Sequence, residues 1–347
     1  MMDKPVHLLS VVRLNEKHLA RLRAVSPRLV VHQQSLPFDK AYRISAEDFA
    51  QALSPELEIL CTYGGTFDIN LAPNLRWVQV NSAGVDFLYD TPLWRSEVAI
   101  TNASGIHAVQ IAEYVLTMLL AHVHHLPRSI HFQTQAHWAT GRDRSGLITR
   151  ELRGKTLGIL GYGAIGREVA RLAATFGMRI LATKRATSPA SFDGWTSPGT
   201  GDPDGSIPER FYDLAELPDL LPECDMVLLA LPLSPQTQHI LGAAEFALMR
   251  PYAFVINIGR GPLVDTDALV KALQTNIIGG AALDVTEPEP LPADSPLWHM
   301  ENVIITPHIA GLTIYYEDRL VNLLCENLRR YLHNEPLLNL VQRERGY

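Results

Sequence analysis

The sequence predicts an α/β protein made of two doubly wound parallel-sheet domains with a cleft between them. Its 347 residues exceed the length of one ordinary compact domain. Apolar runs of strand length alternate with stretches of helical period, as they do in βαβ units. The composition, with 47% hydrophobic and 19% charged residues, is typical of a globular protein with a packed core.

The first hundred residues are predicted to form one parallel sheet. Five apolar runs have the length and composition of strands: 7–12, 29–32, 57–63, 76–80 and 98–101. Residues 45–53 begin with Ser-x-x-Asp, a pattern that caps helix N-termini, and are predicted to form a helix. An apolar helical stretch follows at 106–126. The polar segment from there to residue 155 is predicted to form an arm.

A second parallel sheet is predicted from residue 156 onward. Six runs have the apolar character of buried strands: 156–160, 178–183, 225–231, 253–258, 279–285 and 303–306. A helix over 165–176 and a last helix over 315–333 are also predicted, and the tail after Pro336 is expected to pack on the first domain. Residues 186–212 are rich in Ser, Pro, Gly and Asp and are predicted to be a surface insertion.

Charge and cysteine content limit the classes of partner and the compartment. The formal net charge is -7 and no stripe of Lys or Arg is present, so we expect no nucleic-acid partner. Three cysteines far apart in sequence, Cys61, Cys224 and Cys325, argue against a disulfide framework and for a reducing compartment. The longest aliphatic run, 115–123, is about half the ~20 residues that a membrane helix needs. We therefore expect a cytoplasmic protein with no membrane partner.

A glycine-rich motif follows the predicted strand 156–160 and opens the next helix. Gly161 permits a tight turn, Gly163 lets the backbone approach a pyrophosphate, and Gly166 allows the helix to pack closely on the strand. The helix N-terminus faces the anion. The motif, which predicts a dinucleotide-binding Rossmann domain, is Gly161-Tyr162-Gly163-Ala164-Ile165-Gly166.

The end of the next predicted strand bears on the choice of dinucleotide. An acidic residue about 20 positions after the glycines would bind the ribose hydroxyl of NAD. Here the strand is followed by Lys184 and Arg185 instead. Two cations suit the 2′-phosphate of NADP, so NADP is favoured over NAD, although the two side chains can also be ordinary surface cations.

Three candidate catalytic residues follow predicted strands of the second sheet. Proton transfer to the carbonyl oxygen of a ligand that carries a carboxylate needs a cation for the carboxylate, a proton donor for the carbonyl oxygen, and a group that orients this donor. Arg260, Glu289 and His308 supply these groups, and the carboxyl ends of parallel strands border one ligand crevice. Glu287 competes with Glu289 as the acidic member.

These segments together resemble the D-isomer-specific 2-hydroxyacid dehydrogenase family, and within it the pattern of the glyoxylate/hydroxypyruvate reductases. The resemblance covers about residues 78–339. It rests on four segments, 160–166, 258–261, 280–285 and 306–311. The spacings, 29 residues from Arg260 to Glu289 and 19 from Glu289 to His308, match those of the family, which favours Glu289 over Glu287.

The resemblance implies a role for each residue and a limit for each domain. His308 would protonate the substrate oxygen, Glu289 would orient it and favour its charged form, and Arg260 would hold the carboxylate. Backbone N–H groups of Ala83 and Gly84 would also bind the carboxylate. The cofactor would contact further residues: Leu231, Pro232, Ile258, Gly259, Asp284 and His308.

The resemblance also implies the domain limits. Residues 1–102 with 310–347 would form a discontinuous, flavodoxin-like substrate domain, and 103–309 the dinucleotide-binding domain.

The resemblance also implies a homodimer formed through about residues 106–155, and no metal. His122, His124 and His125 invite a metal site, but no Cys or carboxylate completes a ligand set nearby in sequence, so packing or interface roles are favoured. The predicted activity is hydride transfer between the nicotinamide C4 and the C2 of a small 2-keto or 2-hydroxy acid. The alternative is a dinucleotide-sensing, corepressor-like scaffold with little turnover. The sequence does not identify the acid or the direction of the reaction.

Overall fold

The computed structural model describes residues 4–37, 44–185 and 189–344. The chain divides into two units. Unit 1 comprises residues 1–106, 193–197 and 313–347, and unit 2 comprises 107–192 and 198–312. These junctions lie within four residues of the predicted domain limits. Segment 193–197 differs, because it was expected in the dinucleotide-binding domain and lies in unit 1.

Unit 1 contains a five-stranded sheet in which all strands are parallel. Its order, β2-β1-β3-β4-β5, is the doubly wound order of flavodoxin-like folds. The five strand predictions are confirmed to within two residues at each end. The elements are β1 (Val6–Ser10), α1 (Glu16–Arg23), β2 (Leu29–Gln33), α2 (Ala46–Ala52), β3 (Leu57–Thr62), β4 (Trp77–Val80) and β5 (Ala99–Thr101).

Helix α1 was not predicted from the sequence. The side chain of Asn15 accepts a hydrogen bond from the backbone N–H of His18 and caps the helix. Leu19 and Leu22 are its buried apolar residues. Two apolar positions in a short polar segment do not establish a helical period, whereas Ser45, which begins the predicted α2, caps that helix as expected.

Unit 2 contains a seven-stranded parallel sheet that is covered by helices on both faces. Its order, β12-β11-β10-β9-β6-β7-β8, is the Rossmann order with one further strand at the edge. The elements are α3 (Ala108–Val123), α4 (Leu126–Thr134), α5 (Gly141–Ser145), β6 (Thr156–Leu160), α6 (Ala164–Thr175), β7 (Arg179–Thr183), β8 (Arg210–Tyr212), α7 (Leu217–Leu220), β9 (Met226–Leu229), α8 (Ala243–Leu248), β10 (Phe254–Asn257), α9 (Thr266–Gln274), β11 (Gly280–Leu283) and β12 (Val303–Ile305).

Alternating side chains of the central strands face two separate cores in unit 2. Leu157 and Ile159 pack with residues of α3 and α6 on one face. Leu160 and Val227 pack with residues of α8 and α9 on the other. The sheet is therefore buried on both faces, as the near-continuous apolar strands predict. Among the described residues, no helix is long and apolar enough to span a membrane.

Two sequence predictions about residues 106–212 need correction. The predicted helix 106–126 ends at Val123, because His125 adopts a left-handed conformation with φ of 53° before α4 begins. The predicted surface insertion, 186–212, is partly buried and ends in β8, which pairs with β7. Trp195 and Asp202 are only 8% and 4% exposed. The first three residues of that prediction, 186–188, lie outside the described residues.

The C-terminal helix α10 (Tyr316–Leu332) lies in unit 1 and contributes to its core. Val321, Leu324 and Leu328 are fully buried among residues of β1, β3 and α1. The tail that follows also packs on this sheet, since the backbone N–H of Val341 donates to the carbonyl of Ile100 at 2.8 Å. Unit 1 is thus assembled from the two ends of the chain.

Candidate functional site

The glycine motif between β6 and α6 combines close packing with one open position. Gly161 has φ of 102°, and a Cβ there would lie 2.6 Å from the carbonyl oxygen of Ala230. A Cβ on Gly166 would lie 2.4 Å from the carbonyl oxygen of Gly161. A Cβ on Gly163 would meet nothing within 4 Å. The first and third glycines are therefore required by the protein's own packing, whereas Gly163 leaves space in front of the helix.

This space fits the pyrophosphate of a dinucleotide. Gly163 is the N-cap of α6 and brings no side chain to bond the first N–H groups of the helix. These donors and the helix dipole favour an anion, and a Cβ on Gly163 would intrude on it. Tyr162 and Ala164 are buried beside the glycines, and Ile165 packs against the unit 2 core.

Lys184 and Arg185 follow β7, the strand next to the one that carries the glycine motif. The backbone N–H of Lys184 donates to the carbonyl of Tyr212 at 3.0 Å. Its ammonium lies 5.3 Å from the centroid of the Phe211 ring, a cation–π contact. Both cations are half-buried at the carboxyl edge of the sheet. This is the edge at which the adenosine half of a dinucleotide binds in this fold.

The segments after β9 and β10 lie at the same edge and in mutual contact. A Cβ on Gly259 would lie 2.9 Å from the carbonyl oxygen of Leu231. The hydroxyl of Thr237 donates to the carbonyl of Pro232 at 2.7 Å. Ile258 donates its N–H to the carbonyl of Leu229. The four residues predicted to line the cofactor are therefore neighbours at the strand ends.

The side chains of His308 and Glu289 form a hydrogen-bonded pair. His308 Nδ1 lies 2.7 Å from Glu289 Oε1, and the two side chains are 52% and 42% exposed. The competing acid, Glu287, bonds His239 instead, at 2.9 Å. Geometry therefore separates the two candidate carboxylates, and it brings together the pair that the sequence spacing favoured.

The backbone of His308 is held in an unusual conformation by Asp284. His308 has φ of 54°, a region that few residues other than glycine adopt, and its N–H donates to the carbonyl of Asp284 at 2.9 Å. The buried Asp284 carboxylate accepts bonds from the N–H groups of Ile309 and Ala310, each at 2.9 Å. Asp284 thus bonds the loop both at His308, through its backbone carbonyl, and at the next two residues, through its carboxylate.

The same carboxylate accepts a bond from the Thr306 hydroxyl at 2.6 Å, and Thr306 in turn bonds the Tyr114 hydroxyl at 2.6 Å. Burial raises the pKa of Tyr114 to about 12, so this hydroxyl remains protonated. Sequence analysis did not identify Tyr114. It precedes Thr306 by 192 residues, and no local pattern links them.

Arg260 is positioned by the turn that follows β10. The Asn257 side chain accepts from the N–H of Gly259 at 3.1 Å and donates to the carbonyl of Arg260 at 2.9 Å. A Cβ on Gly261 would lie 2.0 Å from the carbonyl oxygen of Thr286, so the turn lies against the backbone that follows β11. Arg260 itself is half-buried. Arg260, Glu289 and His308 thus all follow strands of the unit 2 sheet at its carboxyl edge.

The predicted carboxylate loop lies in unit 1, after β4. Ala83 is exposed and Gly84 is half-buried at the loop's tip. The Ser82 hydroxyl donates to the carbonyl of Gly84 at 2.7 Å, and the Tyr316 hydroxyl donates to the carbonyl of Asn81. The loop therefore has a defined conformation with Ala83 turned to solvent.

The histidines of α3 and its C-terminus make packing contacts. The His122 ring stacks on Phe254 with centroids 3.9 Å apart, and His125 Nε2 lies 3.1 Å from the carbonyl oxygen of Ile148. Within residues 4–37, 44–185 and 189–344, no group of three or more potential ligands could hold a metal ion.

Known proteins share both the sequence and the fold of this chain. A family model described as D-isomer specific 2-hydroxyacid dehydrogenase, NAD binding domain, matches residues 116–310. A glyoxylate reductase of Aeropyrum pernix is 36% identical over 279 residues, which cover 80% of this chain and 79% of the relative. An (S)-sulfolactate dehydrogenase of Chromohalobacter salexigens is 36% identical over 260 residues, 75% of this chain and 78% of the relative.

A solved structure extends this similarity to the whole chain. The D-isomer specific 2-hydroxyacid dehydrogenase from Xanthobacter autotrophicus, in complex with NADPH and MES, is 28% identical with a TM-score of 0.76. The match covers 99% of this chain and 100% of that structure.

Proposed function

Because the chain belongs to the D-isomer-specific 2-hydroxyacid dehydrogenase family, whose members are nicotinamide-dependent oxidoreductases, we propose that it reduces glyoxylate or hydroxypyruvate with NADPH. The observation that carries the proposal is the 2.7 Å pair of His308 and Glu289. The relatives named above are enzymes, so the alternative of a dinucleotide-sensing scaffold is not supported.

His308 acts as the acid in this reaction. Glu289 accepts the hydrogen bond of Nδ1, so the proton that reaches the carbonyl oxygen is the one on Nε2. When bound, the nicotinamide cofactor would supply the hydride that C2 of the keto acid accepts. In the reverse direction, neutral His308 takes the hydroxyl proton. Glu289 orients the ring.

Arg260 holds the substrate carboxylate, because its forked donor matches the two carboxylate oxygens. Leu231, Pro232, Ile258 and Gly259 line the cofactor, and unit 2 is the dinucleotide-binding domain. Unit 1 is the substrate domain.

The proposal is tested by following absorbance at 340 nm when NADPH or NADH meets glyoxylate, hydroxypyruvate, pyruvate and 3-sulfopyruvate. A His308→Asn variant is the control, because Asn tolerates a positive φ better than Ala. We expect oxidation of NADPH with one of the first two acids, and loss of about 10²-fold or more in kcat in the variant. Absence of turnover with every acid, although NADPH binds, would contradict the proposal.

The preference for NADPH rests on Lys184 and Arg185, and the similar Xanthobacter structure also holds NADPH. Changing Lys184→Ser should raise the KM for NADPH by about tenfold and leave that for NADH unchanged, because a charge-assisted bond to the 2′-phosphate is lost. Lys271→Ser, which removes an exposed cation from α9, is the matched control. An equal change for both cofactors would refute the assignment.

We also propose a homodimer in the cytoplasm. Four large apolar side chains of segment 106–155 are exposed, Leu126 by 48%, Ile130 by 49%, Trp138 by 88% and Ile148 by 72%, and such a surface favours a protein partner. Light scattering should give twice the chain mass, and Ile148→Glu should give monomers where Phe176→Glu does not. A monomeric wild type would contradict the proposed dimer.

The proposed cytoplasmic location is supported by three unpaired cysteines and is tested by cell fractionation.

A further inference from the structure

Residues 189–192 and 198–207, here the insertion segment, lie directly against the glycine motif. The Tyr162 hydroxyl donates to Asp202 Oδ2 at 2.6 Å. Tyr162 is the side chain between the first two glycines, and both partners are buried, with 7% and 4% exposure. Burial raises the pKa of Tyr162, so the hydroxyl keeps its proton and remains the donor.

Arg167 makes a second connection from the first turn of α6. It is 3% exposed, and its guanidinium donates to the carbonyls of Asp202 and Ala190 at 2.5 and 2.6 Å. The guanidinium also lies 4.8 Å from the Tyr162 ring centroid and 5.3 Å from that of Phe192. A buried cation is costly unless it is bonded in this way, so Arg167 stabilises one arrangement of the insertion segment and the glycine motif.

The insertion segment is itself folded around Asp202. Its carboxylate accepts bonds from the N–H groups of Ser206 and Ile207 at 3.0 and 3.1 Å. The N–H of Phe192 donates to the carbonyl of Pro203 at 2.9 Å, which joins the two ends of the segment. The buried Glu168 of α6 accepts from the N–H of Gly201 at 2.6 Å. Asp202 thus bonds both to the backbone of its own segment and to the Tyr162 side chain of the glycine motif.

We propose that Tyr162, Arg167 and Asp202 are positioning residues, through which the insertion segment holds the glycine motif in the conformation that accepts a dinucleotide. Glycines on both sides of Tyr162 leave this turn many conformations. Ordering the turn before binding removes an entropic cost from the affinity for the dinucleotide. The inference rests on dinucleotide binding at this motif, as in the proposed function.

The test is calorimetric titration of the full chain with NADPH, without substrate. Asp202→Asn and Tyr162→Phe should each raise the Kd by about tenfold, the worth of a buried hydrogen bond to a charged group. The double variant should bind no worse than the weaker single one, because both changes remove the same interaction. In the Asp202→Asn variant at saturating NADPH, kcat and the KM for the keto acid should be unchanged.

Asp204→Asn is the matched control, since it removes an exposed carboxylate two residues away. It should leave the Kd unchanged. Tyr162→Phe keeps the ring and its contacts, so the test remains decisive if Asp202→Asn proves unstable. An unchanged Kd in Tyr162→Phe, or strictly additive effects in the double variant, would overturn the inference. A wild type that binds no NADPH would instead refute the proposed function.

Discussion

The position of His308 depends on two carboxylates with different tasks. Asp284 holds the backbone of the loop, and Glu289 holds the imidazole ring. Neither task follows from the residue types alone, since Glu287 lies two positions away and bonds a different histidine. At the scale of single residues, the chemistry therefore depends on which carboxylate reaches which ring nitrogen.

Changing Glu289→Gln keeps the size of the side chain and removes its charge. We expect kcat to fall by about 10²-fold or more, because the imidazole loses the carboxylate that orients it. Steady-state kinetics at saturating NADPH measures the effect. Glu287→Gln is the matched control and should change kcat less than twofold, about the error of such a comparison. Equal losses in the two variants would refute the assignment of Glu289.

The start of α6 shows how one element meets two demands. Gly161 and Gly166 allow the turn and the helix to pack closely, and Gly163 keeps the space in front of the helix open. These demands concern different atoms, so they can be separated by substitution.

Gly163→Ala should lower the free energy of unfolding by less than about 1 kcal/mol, since the new Cβ meets no neighbour and only the N-cap preference for Gly over Ala is lost. Its Kd for NADPH should rise. Gly166→Ala should lose about 1 to 3 kcal/mol of stability as well, because its Cβ would lie 2.4 Å from a carbonyl oxygen. Urea unfolding of the cofactor-free protein and NADPH titration measure the two quantities. A comparable loss of stability in both variants would contradict the distinction.

The free energy of unfolding should depend on pH through one histidine of α3, His122. The pKa of His122 is lowered from 6.5 to about 4, mainly by burial against residues such as Phe254, and further by the charges of His125 and Arg150. The unfolded chain therefore binds a proton more readily than the folded one. The stability that depends on neutral His122 is fully present above pH 6.5, and the free energy of unfolding decreases as the pH falls from 6.5 towards 4.

His122→Phe keeps a ring stacked on Phe254 and cannot be protonated. The free energy of unfolding of the variant minus that of the wild type should rise by up to about 3 kcal/mol as the pH is lowered from 7 to 4. Urea unfolding at several pH values measures this difference. His299→Phe replaces an exposed histidine and should show no such trend. A difference that does not vary with pH would show that His122 does not titrate as described.

Much of the fold could be predicted because its signals are local. A buried parallel strand is a short apolar run, and every observed strand except β8 lies within two residues of a predicted one. Strand β8 lies in the segment that was predicted to be a surface insertion. Helix α1 was missed because only Leu19, Leu22 and His18 of its eight residues are buried. Residues 189–207 have the composition of a surface loop, yet Asp202 is buried against Tyr162 and Arg167. Because these partners lie far away in sequence, no local pattern predicts the burial.

The sequence by itself determined the α/β class, the glycine motif and the residue types that follow the strands of unit 2. These are properties of contiguous segments, in which turn geometry and apolar period leave a direct pattern. The spacing of the family resemblance already favoured Glu289 over Glu287 as the partner of His308. Only the tertiary structure decided that Asp284 holds the histidine loop and that Asp202 bonds the side chain between two glycines. The physical reason is that hydrogen bonds between distant residues depend on distance and direction in space, which no local pattern of residues specifies.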